Sequence, residues 1–204
     1  MVGRDVAEVD LRLAAGDLAC GGCGGRLCRW GWAREREVRG LGRLRPRRAR
    51  CVVCLVTHVL LPVSCLLRRA DGVEVIGAGL VLKAAGRGHR PVAAVLSVPA
   101  ATVRRWFAAF AAASAALTSL LALVAAELDP LHGPLPVHAG GGVVADAVEL
   151  VGGVGAAARR RLGVLGAVSA WELVAAVTGG RLLAPAPRDW TREWINTSWV
   201  LEGS

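Results

Sequence analysis

The chain has 204 residues, a formal net charge of +9, 54% hydrophobic residues and a mean hydropathy of +0.47. This balance excludes an intrinsically disordered chain, and the length excludes a large multidomain enzyme while leaving one or two domains with a real core. The cationic charge is arginine: 24 of the 25 basic residues are Arg, and Lys83 is the exception.

The surplus is confined to one block. Residues 1–25 carry −2, residues 26–69 carry +10, residues 70–128 carry +2 and residues 129–204 carry −1. A concentrated basic block is a footprint for a polyanion, weighed here against a merely solubilising surface. What tips the balance is the cysteine pattern in the same block. Cys20-Gly-Gly-Cys23 and Cys51-Val-Val-Cys54 are two CxxC turns separated by 27 residues. Each such turn presents two thiolates to one ion, and two turns complete a tetrahedron around zinc. Gly24 and Gly25 let the backbone curl so that its N–H groups point at sulfur. The alternatives are a disulfide or plain buried thiols. The Met-Val-Gly-Arg-Asp start has no apolar stretch or cleavage site of a secretory signal, so a cytoplasmic location is expected, and it disfavours disulfides. Cys28 and Cys65 are expected to be small buried apolar residues, and His58 a poor substitute for Cys54 in an already full shell. A closed Cys₄ site leaves no open position for water and so predicts a structural metal. Trp30 and Trp32 alternating around Gly31, with Leu41, Leu44 and Ala49, predict the short strands of a zinc ribbon over residues 15–65.

Asp71, with Glu74 three residues on, predicts a capped helix through Val75, Ile76, Leu80 and Val81 to Gly86. The next stretch, Pro91 to Trp106, reads as a short helix, a tight turn and a second helix. Val92, Ala93 and Leu96 form one apolar face, Val98 plugs the turn, and Pro99 opens the second helix. Val103, Trp106 or Phe107, and Phe110 then face inward while Thr102, Arg104 and Arg105 face outward. This is the pattern of a helix-turn-helix, whose second helix enters the major groove, and it is weighed against an ordinary helical hairpin. His89 is expected in the turn, or on a phosphate.

Residues 107–126 lack charge over twenty positions, enough to cross a bilayer. Yet Val103, Phe107, Phe110, Ser114, Leu117, Leu121, Val124 and Leu128 recur at alternating spacings of four and three. A bilayer does not require such a seam, so a long helix packing on a partner or on the C-terminal helices is the expectation and a membrane span is disfavoured. Asp129-Pro130 ends this helix and Leu131–Gly142 is a Pro/Gly-rich connection. Ala145–Leu162 reads as a helix weakened by Gly152, Gly153 and Gly155, with Arg159, Arg160 and Arg161 at its end. Ser169-Ala-Trp-Glu172 is a capping box for a helix to Thr178, stopped by Gly179-Gly180. Trp190 and Trp194 are placed to staple a last helical turn, in a tail that also holds Trp199. The sequon-like Asn196-Thr197-Ser198 carries no weight. No phosphate loop, nucleophile elbow or His–acid pair is evident, so no enzyme is expected.

The expected fold is therefore mainly α: a zinc ribbon, a helix-turn-helix with an extended helix over 68–128, and a helical region over 140–204. Cys20-x₂-Cys23-Gly24-Gly25, Arg47-Arg48-Ala49-Arg50-Cys51-x₂-Cys54, Thr57-His58-Val59-Leu60-Leu61-Pro62 and the helix-turn-helix resemble a family of actinobacterial zinc-ribbon/helix-turn-helix proteins. Those are similar to the amino-terminal DNA-binding half of insertion-sequence transposases. The resemblance covers residues 15–115 and stops before any nuclease domain, which implies DNA binding without strand transfer. Asp146, Glu149 and Glu172 are then helix-surface and capping acids. The reading that follows is a zinc-stabilised, non-catalytic duplex-DNA-binding protein, a regulator or transposition accessory, with no small-molecule substrate. Cys20, Cys23, Cys51 and Cys54 bind zinc; Arg43, Arg45, Arg47, Arg48, Arg50, Arg90, Thr102, Arg104 and Arg105 contact DNA. A homodimer through the 103–128 helix is allowed. The alternatives are a protein-interaction module using that helix seam and a single-pass membrane-anchored regulator.

Overall fold

The computed structural model describes residues 3–130, 142–162 and 168–184. Leu131 to Gly141, Trp190, Trp194, Trp199 and the Asn196 sequon lie outside the described residues. Within them the chain is mainly helical, with two small antiparallel sheets near the N-terminus.

The sheets carry the cysteines. Strands β1 (Leu27–Trp32), β4 (Arg47–Cys51) and β5 (Thr57–Leu60) form one sheet in the order β1-β4-β5, and β2 (Arg36–Val38) pairs with β3 (Gly42–Leu44) in a hairpin. Helix α1 (Val6–Ala15), absent from the sequence reading, covers one face of the larger sheet. Asp5 caps it by accepting the Glu8 N–H at 2.8 Å, and Gly16 ends it in the left-handed region. Val9 and Leu13 from α1 join Leu18, Cys20, Leu27, Ala49, Cys51 and Leu60 in a small separate core. On the same face, Asp10 accepts from Arg29 Nε at 3.2 Å and from Arg47 Nε at 2.5 Å. The acidic N-terminal segment thus offsets part of the basic block.

Period-two alternation places Trp30 and Trp32 on one side of β1, but a bulge between Arg29 and Gly31 breaks it. Gly31 pairs with Arg48, and Trp32 pairs with Arg47, the arginine turned toward α1. Trp30 stands against Arg50, which lies on the other side of β4 from buried Ala49.

The second core is built by α2 (Val73–Ala84), α3 (His89–Leu96), α4 (Ala100–Leu128), α5 (Gly142–Leu162) and α6 (Ala170–Val177). The helix starting at α2 differs from expectation. Its N-cap is Gly72, without a side-chain cap, and it ends at Ala84 instead of Gly86. Asp71 is spent on a long-range pair instead: it is 5% exposed and accepts from Arg39 Nη1 at 2.5 Å. Glu74 accepts from the Ser169 hydroxyl across to α6. A local capping pattern loses here because a partner from the β2–β3 turn claims the carboxylate. His89 and Arg90 form the first turn of α3 instead of the preceding loop.

Ser97 takes a left-handed conformation (φ 52°), Val98 is buried in the turn, and Pro99 is the N-cap of α4. α4 is 29 residues long, about 43 Å at 1.5 Å per residue. Val103, Trp106 and Phe110 face the core, whereas Arg104 and Arg105 are exposed. Seven of the eight seam residues are buried, with Phe107 half-buried, and α4 packs chiefly on α5. The one polar member, Ser114, is satisfied by donating to the Phe110 carbonyl at 2.8 Å. The seam therefore serves the C-terminal helices of the same chain. α4 remains the one described helix long and apolar enough to cross a membrane by length and composition.

α6 carries the expected capping box: Ser169 Oγ accepts from Glu172 N at 3.0 Å and Glu172 Oε2 accepts from Ser169 N at 3.1 Å. α5 starts three residues earlier than expected, and Arg160 near its end pairs with Asp129 at 2.6 Å.

Candidate metal centre

The two CxxC turns meet at one edge of the β1-β4-β5 sheet. The four Sγ atoms of Cys20, Cys23, Cys51 and Cys54 all lie within 4.8 Å of one another. Cys20 and Cys54 are 3.7 Å apart, and Cys23 and Cys51 are 3.4 Å apart. A tetrahedral ion with metal–sulfur bonds of about 2.3 Å requires sulfur–sulfur edges of about 3.8 Å, so the quartet has the dimensions of a metal shell. Cys28 is half-buried and Cys65 is buried, both outside the quartet. Burial pushes the Cys65 thiol upward.

Local backbone geometry explains the turns. Cys20 N donates to Gly25 O at 2.8 Å and Gly24 N donates to Cys20 O at 2.8 Å, closing the first turn. Gly24 is left-handed (φ 70°), and Gly25 is required by contact: a Cβ there meets Val53 Cγ2 at 2.7 Å and Cys51 Sγ at 3.0 Å. The second turn repeats this shape without a glycine. Leu55, one residue after Cys54 as Gly24 follows Cys23, holds φ 61°. The left-handed region costs a non-glycine residue about 1–2 kcal/mol, and glycine's extra freedom when unfolded returns part of that. Leu55 is also exposed. Leu55→Gly is therefore expected to stabilise the metal-loaded protein by about 0.5–1 kcal/mol and Gly24→Ala to destabilise it by a similar amount. Thermal melts of the two variants with opposite signs check this; shifts of the same sign refute it.

The four thiols are held unequally. The N–H groups of Cys54 and Val53 directed at Cys51 hold its thiol down at about 6. The Gly22 and Cys23 N–H groups likewise lower Cys20. At Cys54 the Val56 N–H pulls the other way but is outweighed by Cys23, burial and the other sulfurs, which push it up to about 12. Four thiolates in this space repel one another, and a central cation removes that penalty. His58, weighed as a substitute for Cys54, is not among the groups that gather within 4.8 Å; its Nε2 lies 3.3 Å from Cys20 Sγ, where it can donate to that sulfur.

The arginines expected on DNA fall into two groups. On the sheet unit, Arg47 lies 4.0 Å over the Trp32 ring and is mostly buried, and Arg45 lies 5.9 Å from the same ring. Arg50 lies 4.6 Å over Trp30 and donates to Leu55 O at 3.2 Å. Arg43 pairs loosely with Glu35 at 3.6 Å, and Arg48 is exposed opposite Val59. Arg47 is thus occupied with Asp10 and Trp32. On the helical half, Arg90, Arg104 and Arg105 are exposed and Thr102 is half-buried. Asp10, the acceptor for Arg29 and Arg47, carries no cue of its own in the sequence. The Asp5-x-x-Glu8 capping pattern ahead of Val9 and Leu13 marks the helix that carries it. Comparison with models of known families, with curated proteins and with solved structures finds no match.

Proposed function

We propose that this chain is a zinc-stabilised, non-catalytic duplex-DNA-binding protein of transposase-like ancestry, in which Cys20, Cys23, Cys51 and Cys54 of a zinc ribbon hold a structural metal. Zinc suits a four-thiolate tetrahedron because it has no electronic preference for another geometry and no redox chemistry. The observation that carries the DNA reading is the arrangement of α3, the Ser97-Val98-Pro99 turn and α4. Val98, Val103 and Trp106 are sunk in the core, while Arg104 and Arg105 stand clear of it on the first turns of α4. In a helix-turn-helix that is the face offered to the major groove, where Arg reads guanine edges or meets phosphates. Arg43, Arg48 and Arg90 add exposed cationic surface.

The interaction-module and dimer readings draw on the 103–128 seam, and that seam is already buried under the chain's own helices. A partner would have to use the opposite, alanine-rich side of α4. Fluorescence anisotropy with a duplex tests the DNA reading. Affinity should fall with salt at a slope of about 0.9 per phosphate neutralised, and Arg104→Ala should cost about 1–3 kcal/mol if it reads a base. Absence of binding to duplex DNA at low salt refutes it; unchanged sequence preference in the Arg104 variant makes that residue a phosphate contact.

A further inference from the structure

Arginines from three separate stretches converge on one open cleft of about 250 Å³ beside the first turn of α4. Arg39 comes from the β2–β3 turn, Arg68 and Arg69 from the crossing before α2, and Arg105 from α4 itself. We propose that this cleft is a phosphate-binding site.

Charge is the first reason. Four arginines line the cleft against one acidic residue, Asp71, whose carboxylate is engaged by Arg39 at 2.5 Å. Like charges gathered in a concave space repel unless an anion sits among them. Donor count is the second. Arg69 is anchored by Nη2 donating to the Leu183 carbonyl at 2.5 Å, but its Nε is buried and without a partner. Thr102 adds a hydroxyl to the lining. α4 starts here behind Pro99 with no side-chain cap and no acid in its first turn, so the positive end of a 29-residue helix faces the same space. Guanidinium forks match the paired oxygens of a phosphate, and the number of donors exceeds what the two oxygens of one carboxylate can accept.

A phosphate held here ties the sheet unit to the first turn of α4. If α4 binds a duplex as proposed above, the ligand is a backbone phosphate flanking the groove, and this part of the inference rests on that reading. The metal-loaded full chain is titrated with inorganic phosphate and with pyrophosphate, following the arginine Nε–H signals by NMR. The wild type and the Arg12→Gln control, on the far helix α1, should bind. The double variant Arg68→Gln/Arg105→Gln, with an unchanged circular dichroism melt, should bind at least tenfold more weakly. No phosphate binding by the wild type, or equal binding by the double variant, overturns the site. In a second arm the double variant's dependence of log K on log salt for a duplex should be shallower by about 1. An unchanged slope with phosphate binding lost overturns the backbone assignment and leaves a site for free phosphate. Phosphate binding by a wild type that binds no duplex overturns the DNA reading and supports the cleft.

Discussion

Chelation of the metal, or Cys51→Ser, is expected to unfold the β1-β4-β5 sheet while α4 and α5 stay helical. The expectation follows from the unequal size of the core under the β1-β4-β5 sheet and the helical core. The sheet unit has eight buried apolar residues, and two of them, Cys20 and Cys51, belong to the cysteine quartet that could hold a metal. A cluster this small does not offset the ordering entropy of the strands around it, whereas a structural zinc site contributes an apparent stabilisation of about 10–16 kcal/mol. The helical core is independent of the cysteines and contains Trp106, Phe110, Leu117 and Leu121, all essentially inaccessible. Hydrogen exchange should therefore report loss of protection over 27–60 on adding chelator, with the 222 nm helical signal largely retained. Protected strand amides in a protein shown by elemental analysis to be metal-free would falsify the metal reading.

The pH dependence follows with its sign. A thiol held at about 6 in the folded chain, as at Cys51, adds stability that is complete above the ordinary thiol range and is lost as pH falls through 6. Cys54, pushed up to about 12 by its sulfur neighbours, acts oppositely in the metal-free chain, losing its contribution as pH rises toward that value. Metal binding must remove the proton from Cys54, so uptake at pH 7 releases protons and weakens on acidification. Calorimetry in buffers of different ionisation enthalpy reads the number released.

The meeting of the four cysteines was legible in the sequence because CxxC spacing is a local constraint that survives any tertiary arrangement. The α3–turn–α4 geometry was legible for the same reason: Val92, Val98, Pro99 and Val103 each do their work within a few residues of one another. What escaped depends on distance along the chain. Asp71 looks like a cap to its neighbours, but Arg39, thirty-two positions away, takes its carboxylate. The alternation of Trp30 and Trp32 is undone by a bulge that only the pairing with β4 reveals. The arginine cleft combines residues from three segments and so has no linear signature at all. Glycines mislead most. In a helix they read as weak points, yet a Cβ on Gly155 would meet Ala170 Cβ at 2.7 Å, so there the missing side chain is what lets α5 and α6 approach.

Gly77 in the middle of α2 makes the same point with the larger energy. A Cβ built there lies 2.5 Å from Trp171 Cδ2 and Nε1 and 2.6 Å from Cδ1. Such separations are far inside van der Waals contact, and Trp171 is 9% exposed with its ring held against α2. Gly77→Ala gains about 1 kcal/mol in helix propensity. It must still displace the indole or part α2 from α6, and overpacking of that kind costs about 1–3 kcal/mol or more. A net loss is expected, seen as a lowered melting temperature. Gly152→Ala in α5, where a Cβ meets nothing within 4 Å, should instead raise it through propensity alone. Trp171→Ala by itself should cost about 3–5 kcal/mol through the cavity it leaves. In the double variant the two losses should not add, because the alanine methyl at 77 enters space the indole has vacated. Additive losses, or a Gly77→Ala protein as stable as the wild type, would show that the α2–α6 contact is looser than this geometry requires.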